Sequence, residues 1–167
     1  MLVYADIRRF GELRTIDKLG DFLPVVRMAP EYDSIEAKEY FLRAVKHSGN
    51  ISKTIKAVLM DSTVVTGVGN IYAAESLYAA KILPTRKAGN ISLKRLETLF
   101  QAIIDVFELS LAQGGSTISD YRSSTGGSGE MQNKFQVYQR KTCPEGHDIT
   151  TKAVSYTHLT LPTTPYV

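Results

Sequence analysis

Apolar residues recur at intervals of three and four along much of the chain, and the stretches that carry this spacing are bounded by residues that start or stop helices. The clearest runs through Leu96, Leu99, Phe100, Ile103, Ile104, Phe107 and Leu111, after Ser92 as an N-cap and before Gly114-Gly115. That spacing predicts one long helix whose apolar stripe is core. An earlier stretch through Ile35, Tyr40, Phe41, Ala44 and Val45 follows Asp33 and Glu36, a capping-box pattern, and is predicted to end at Gly49. Ser52 is the expected cap of a shorter helix through Ile55, Val58 and Leu59. A further helix is expected from Asn70 through Ile71, Ala74, Leu77 and Tyr78, with Pro84 ending the run. Short apolar segments at Leu2–Ala5, Glu12–Ile16 and Phe135–Tyr138 read as strands, and Leu23-Pro24 with Ala29-Pro30 reads as a break between parts. The fold class that follows is mainly α with small β parts.

Composition changes this picture little. The chain has 167 residues, enough for one domain with a real core, and 43% are hydrophobic, so it is globular rather than disordered. A single cysteine excludes an internal disulfide framework, and no long apolar run suggests a membrane span; a reducing cytoplasm is the expected location. The net charge of +3 does not by itself identify a nucleic-acid partner. Any such partner has to be argued from where the basic residues sit.

The chemistry concentrates in Asp61-Ser-Thr-Val-Val-Thr-Gly-Val-Gly-Asn-Ile-Tyr-Ala-Ala-Glu75, which joins one helix to the next through a glycine-spaced turn. Gly67 and Gly69 permit backbone angles and close approaches that a Cβ forbids, and Asn70 is a good N-cap. Free N–H groups and the positive end of a helix then converge on one spot that suits an anion, with Lys56 on the preceding helix adding a full charge. An ordinary αα corner with a capped second helix accounts for the same residues if they are taken alone.

The match extends beyond a bare G-x-G-N. Leu59, Asp61, Val65, Gly67, Gly69, Asn70, Ile71, Tyr72, Glu75 and Leu77 stand where the helix-two-turn-helix of formamidopyrimidine-DNA glycosylases and endonuclease VIII has its pattern. Tyr4-Ala-Asp-Ile-Arg-Arg-Phe-Gly11 is similar to the same family's strand and loop, and Gly114-Gly-Ser-Thr117 and Phe135-Gln-Val-Tyr138 follow in the family's order. The resemblance covers roughly residues 2–149. It implies residues 1–19 as a remnant of an N-terminal β-sandwich, 20–32 as a linker and 33–134 as a helix-two-turn-helix domain with its lesion loop. A truncated zinc finger at 135–153 and a tail at 154–167 complete the division.

The resemblance also implies roles. Double-stranded damaged DNA is the partner, bound by a monomer, with Lys56, Gly69, Asn70 and Tyr72 at the phosphate backbone. Arg8 faces the orphaned base and Phe10 wedges into the stack from which a base has been extruded. Ser124, Thr125, Gly126, Gly127, Ser128 and Gly129 form the tip of a loop that closes over an oxidised purine; on composition alone this is a flexible connection. Cys143-Pro-Glu-Gly-His147 stands where the family's zinc finger begins, but the second cysteine is replaced, leaving Cys143 and His147 as candidate ligands at C-x-x-x-H spacing. Four ligands make a structural zinc site. Zinc is therefore expected in the parent protein and not in this chain.

Two departures bear on activity. The family's mature N-terminus is Pro-Glu, with the proline nitrogen as nucleophile, whereas this sequence opens Met1-Leu-Val-Tyr4 and its prolines are internal. The parent is expected to be a bifunctional DNA glycosylase and AP lyase that excises oxidised purines in base-excision repair, and the fragment to be inactive. Val154–Val167 carries no Asp, Glu, Lys or Arg and resembles translated adapter or cloning sequence, or a disordered tail. The alternatives are an endonuclease VIII-like enzyme for oxidised pyrimidines, which the loop at Ser123–Glu130 disfavours, and a non-catalytic helix-two-turn-helix module. Arg8-Arg9-Phe10 and Cys143 argue against the module.

Overall fold

The computed structural model describes Thr15, Asp17, Lys18, Gly20, residues 22–115 and residues 130–150. Two compact units are formed, one from residues 27–151 and one from 1–26 with 152–167. In the smaller unit the described residues include a single helical turn, α1 (Leu23–Val26). The expected break at Leu23-Pro24 is thus a turn of helix, with Pro24 near its start, where the missing N–H has no intrahelical partner to lose. The strands expected at Leu2–Ala5 and Glu12–Ile16 lie outside the described residues, apart from Thr15.

The larger unit contains α2 (Ala37–Val45), α3 (Ile55–Leu59), α4 (Asn70–Ala79) and α5 (Leu93–Ala112), with 3-10 turns at Ala88–Asn90 and Met131–Lys134. Phe41, Val45, Ile55, Val58, Leu59, Leu77, Leu96, Leu99 and Ile103 are fully buried in one core. The stripe of α5 supplies its floor as the spacing predicted, except that Leu111 points out and is 71% exposed. Ser92 caps α5 by accepting the Arg95 amide, and left-handed Gly114 and Gly115 (φ 69° and 88°) end it.

Other boundaries fall elsewhere than the sequence suggested. The Asp33/Glu36 capping box does not form, because the chain winds into α2 through successive turns (Ser34 N to Glu31 O, Ala37 N to Ser34 O) and Glu36 is itself already helical. Ile35 is left fully exposed. α2 ends at Val45 rather than running to Gly49, and the Lys46 ammonium turns back to donate to the carbonyls of Gly89 (2.9 Å) and Ile91 (2.5 Å). Thr54, not Ser52, caps α3 by accepting the Ala57 amide, since Thr54 is the extended residue at the helix start. α4 stops at Ala79, well before Pro84: Lys81 takes a left-handed φ of 54° and the Ile82 amide returns to the Leu77 carbonyl, a Schellman-type ending.

Phe135–Tyr138 is not a strand. Among the described residues β-structure is limited to isolated bridge positions, Glu130 and the pairs Thr54 with Lys87 and Thr142 with Asp148. The segment curls because three successive amides are drawn to one carboxylate on α4. Glu75 accepts Gln136 N at Oε2 (2.9 Å) and Val137 N and Tyr138 N at Oε1 (3.0 and 2.7 Å). Successive amides of an extended strand point to opposite sides, so a strand cannot make this contact. A second small core of Val106, Met131 and Phe135, packed on by Ile71, Tyr72 and Tyr138, lies beneath the curl.

Gly67 tests this frame. Its φ is +82° and a Cβ there would sit 3.3 Å from the Phe107 ring, so Gly67→Ala is expected to lower stability by about 1–2 kcal/mol. Thermal melting followed by circular dichroism checks it, and an unchanged melting temperature would contradict the strain.

Candidate nucleic-acid interface

The corner between α3 and α4 is built from short side chains that bond to the backbone. Asp61 accepts the Thr63 amide (3.0 Å) and hydroxyl (2.7 Å), and Val64 N returns to Asp61 O (2.8 Å). These bonds make a tight turn of the kind that Asp favours. Braces from outside hold it: the Thr66 hydroxyl donates to Ala29 O (2.7 Å), Ala29 N to Ser62 O (2.8 Å), and the Tyr40 hydroxyl to Thr63 O (2.9 Å). Val64, Val65 and Val68 are buried beneath. The chain then crosses Gly67 in a left-handed conformation and enters α4 at Gly69.

Gly69 is the N-cap, and Asn70, expected to be the cap, is the first residue of the helix. Only one of the paired glycines needs its backbone freedom. Gly69 has φ −91°, open to any residue, and a Cβ there would meet nothing within 4 Å. Nothing inside the described protein therefore requires glycine at 69, whereas a ligand pressed against the backbone would. The first intrahelical bond is Ala73 N to Gly69 O (2.9 Å), so the amides of Asn70, Ile71 and Tyr72 precede it and lack a helical acceptor. Asn70 Oδ1 is shut off from solvent with no hydrogen-bond partner.

Lys56 lies on α3, and burial lowers its pKa from the usual lysine range. Tyr72 faces inward: its hydroxyl shares a 2.8 Å hydrogen bond with Ser110 Oγ and its ring meets Phe107 edge-on at 5.3 Å. Its described contacts fasten α4 to α5. Arg8, Phe10 and the loop tip Ser124–Gly129 lie outside the described residues. The described residues that flank this stretch meet through Glu130 N to Gln113 O (2.9 Å) and Met131 N to Gly115 O (3.2 Å). The residue that sequence reading used only as a motif position is Glu75. A single carboxylate in an otherwise uncharged helix was the available signal.

Cys143 and His147 are brought together. The Thr142–Asp148 bridge, Cys143 N to His147 O (2.9 Å) and a left-handed Gly146 (φ 85°) make a hairpin turn with Cys143 Sγ 3.6 Å from His147 Nδ1. Ligands of a tetrahedral zinc at the usual bond lengths lie about 3.5 Å apart, so the pair fits two positions of such a shell. No group of three or more His, Cys, Asp or Glu that could hold a metal occurs among the described residues, so these residues alone do not complete a site. Burial raises the Cys143 thiol pKa, but hydrogen bonds from the His147 backbone and ring, the Glu145 backbone and the Tyr78 hydroxyl outweigh it and lower the value to about 7. Burial and this same thiol contact raise the pKa of Tyr78.

The thiolate is the reactive form, so alkylation of Cys143 by iodoacetamide should rise about tenfold per pH unit below a midpoint near 7 and level off above it. Removing the ring in His147→Ala should move that midpoint up. Equal profiles for the two proteins would deny the ring any part in the shift.

With this geometry the likeness to known proteins is specific. The model of the formamidopyrimidine-DNA glycosylase H2TH domain matches residues 28–122, more than half of the chain. The chain is 37% identical over 148 residues to the formamidopyrimidine-DNA glycosylase of Streptococcus thermophilus, covering 86% of this chain and 53% of that protein. It is 40% identical over 156 residues to that of Nitratidesulfovibrio vulgaris, covering 92% and 42%. It thus spans about half the length of the curated relatives it matches. Among solved structures it is similar to the MutM (Fpg) protein from Thermus thermophilus, with a TM-score of 0.79 at 34% identity over 90% of this chain and 58% of that one. Fpg from Lactococcus lactis in complex with abasic-site DNA gives 0.77 at 33% identity over 91% and 57%. A glycine-spaced corner opening into α4, in the sequence order and fold of these proteins, places this chain in the formamidopyrimidine-DNA glycosylase H2TH domain family.

Proposed function

We propose that the chain is the DNA-holding part of a bifunctional glycosylase and AP lyase that removes oxidised purines, 8-oxoguanine and formamidopyrimidine, in base-excision repair. The observation that carries this reading is the start of α4. Three amides without helical acceptors stand beside a glycine that nothing in the described protein requires. A DNA phosphate satisfies such donors and the positive helix end together. The relatives' names support formamidopyrimidine as a lesion, and Lactococcus lactis Fpg has been solved on DNA containing an abasic site.

The division of labour follows from the groups present. The corner offers amides, hydroxyls and Lys56, which bind and orient a phosphate. Gly69, Asn70 and Lys56 grip the backbone, and the inward-facing Tyr72 serves that grip by holding the α4 N-terminus rather than by reaching DNA. Arg8 and Phe10 fill the space left by the extruded base, and Ser124–Gly129 close over it. Excision is assigned to an N-terminal proline attacking C1′ of the deoxyribose, with strand cleavage through the resulting Schiff base. This sequence as it stands is expected to lack that step. Zinc in a whole enzyme of this type is held through Cys143 and His147 together with ligands beyond the described residues. The protein works as a monomer in the cytoplasm, with the chromosome; among the described residues no helix is long and apolar enough to cross a membrane.

Binding to a short duplex measured by fluorescence anisotropy should weaken steadily with added salt, as counterion release requires. Gly69→Ala should weaken it about tenfold, the loss of one charge-assisted hydrogen bond of about 1.5 kcal/mol, without lowering the melting temperature. Asn70→Ala should likewise bind less tightly while melting no earlier, because it removes a buried oxygen that has no partner. Variants that keep full affinity would reduce the corner to a structural turn. Borohydride trapping on an 8-oxoguanine duplex should yield no covalent adduct with this chain; an adduct would mean that a nucleophile lies within it.

A further inference from the structure

We propose that Glu75 is a positioning residue for DNA binding: its buried carboxylate locks the basic segment Lys134–Lys141 beside the start of α4, so that both meet one DNA backbone. This rests on the DNA-holding role proposed above.

Glu75 is 6% exposed, and its two oxygens accept three consecutive amides from residues more than sixty positions later in the chain. The segment so held reads Lys-Phe-Gln-Val-Tyr-Gln-Arg-Lys, with exposed cations at Lys134, Arg140 and Lys141 and no acid between them. Arg140 braces the curl from within by donating to Phe135 O (3.1 Å). Apolar contact with Ile71 and Tyr72 already attracts the segment to the first turn of α4. Such contact is non-directional and leaves register open. Three hydrogen bonds to a carboxylate fix register, and they fix it one helical turn from the amides of Asn70 and Ile71. Without Glu75 the segment keeps its charges and loses its place.

The test is the salt dependence of duplex binding in Glu75→Ala, Glu75→Gln and the double variant Lys134→Gln/Lys141→Gln. Each phosphate contact contributes about 0.9 to the slope of log affinity against log salt. Glu75→Ala, with helix content unchanged by circular dichroism, should lose about two from the slope and about tenfold in affinity at 0.1 M salt. The lysine variant should lose about the same slope in the parent chain and almost nothing further once Glu75 is gone. Glu75→Gln retains one acceptor but turns an N–H toward the Gln136 amide, and should fall between. If Glu75→Ala does not fold, Glu75→Gln combined with the lysine changes makes the same comparison. An unaltered slope in a folded Glu75 variant, or lysine effects that persist undiminished in its background, would overturn the proposal. A parent chain with no salt-dependent duplex binding would instead remove the DNA-holding role itself, and this inference with it.

Discussion

A buried carboxylate has to find donors, and in this protein that requirement shapes everything around α4. Glu75 finds three amides at residues 136–138, so residues distant in sequence are bound to the helix that opens at the α3–α4 corner. Hydrogen bonds to a charged group contribute about 1.5–3 kcal/mol each, and leaving their partners buried and unpaired costs a comparable amount. The two faces of α4 then divide. Ala73, Leu77 and Ala80 enter the main core. Ile71, Glu75 and Tyr78, spaced by four and three, meet the second small core, the curled segment and the Cys143 hairpin in turn. Being covered on opposite sides is why the helix is apolar all round and carries one charge.

The corner gains its rigidity from bonds that cross between elements. Thr66 to Ala29, Tyr40 to Thr63 and Tyr72 to Ser110 each tie the turn or its outgoing helix to a different part of the unit. Donors fixed in advance bind an anion without first being ordered, so little of the interaction is lost to entropy. Under the proposed DNA-holding role, a chain with a net charge of only +3 grips a polyanion through a few well-placed groups. The paired glycines differ: Gly67 answers to the protein's own backbone and the Phe107 ring, while a Cβ at Gly69 would meet nothing in the described protein.

Much of this was legible in the sequence because the informative signals are local. The α5 stripe, its Ser92 cap and its glycine stop follow from spacing and turn chemistry alone, and the corner was found from Gly67, Gly69 and Asn70. Caps failed where neighbouring turns competed. Ser34 and Glu36 are already wound into turns, so the Asp33/Glu36 box has no extended residue to start from. Ser52 lies before the extended position that Thr54 occupies. Phe135–Tyr138 has the composition of a strand, and its sequence predicts one. What bends it is a carboxylate more than sixty residues away, and no window of sequence contains both.

The hairpin at Cys143 shows the same precedence of backbone over side chain. Its turn is set by the Thr142–Asp148 bridge, by the Cys143 amide on His147 O, by Gly146 N on Cys143 O and by one left-handed glycine. None of these contacts needs a metal. Replacing the family's second cysteine by Gly146 supplies that left-handed residue and moves the second candidate ligand one place on, to His147, whose ring then reaches Cys143 Sγ. A thiol already drawn toward thiolate and an imidazole at the separation that tetrahedral zinc demands form a preset pair. A metal held there by further ligands would therefore fasten the same turn that these backbone contacts and the left-handed glycine define.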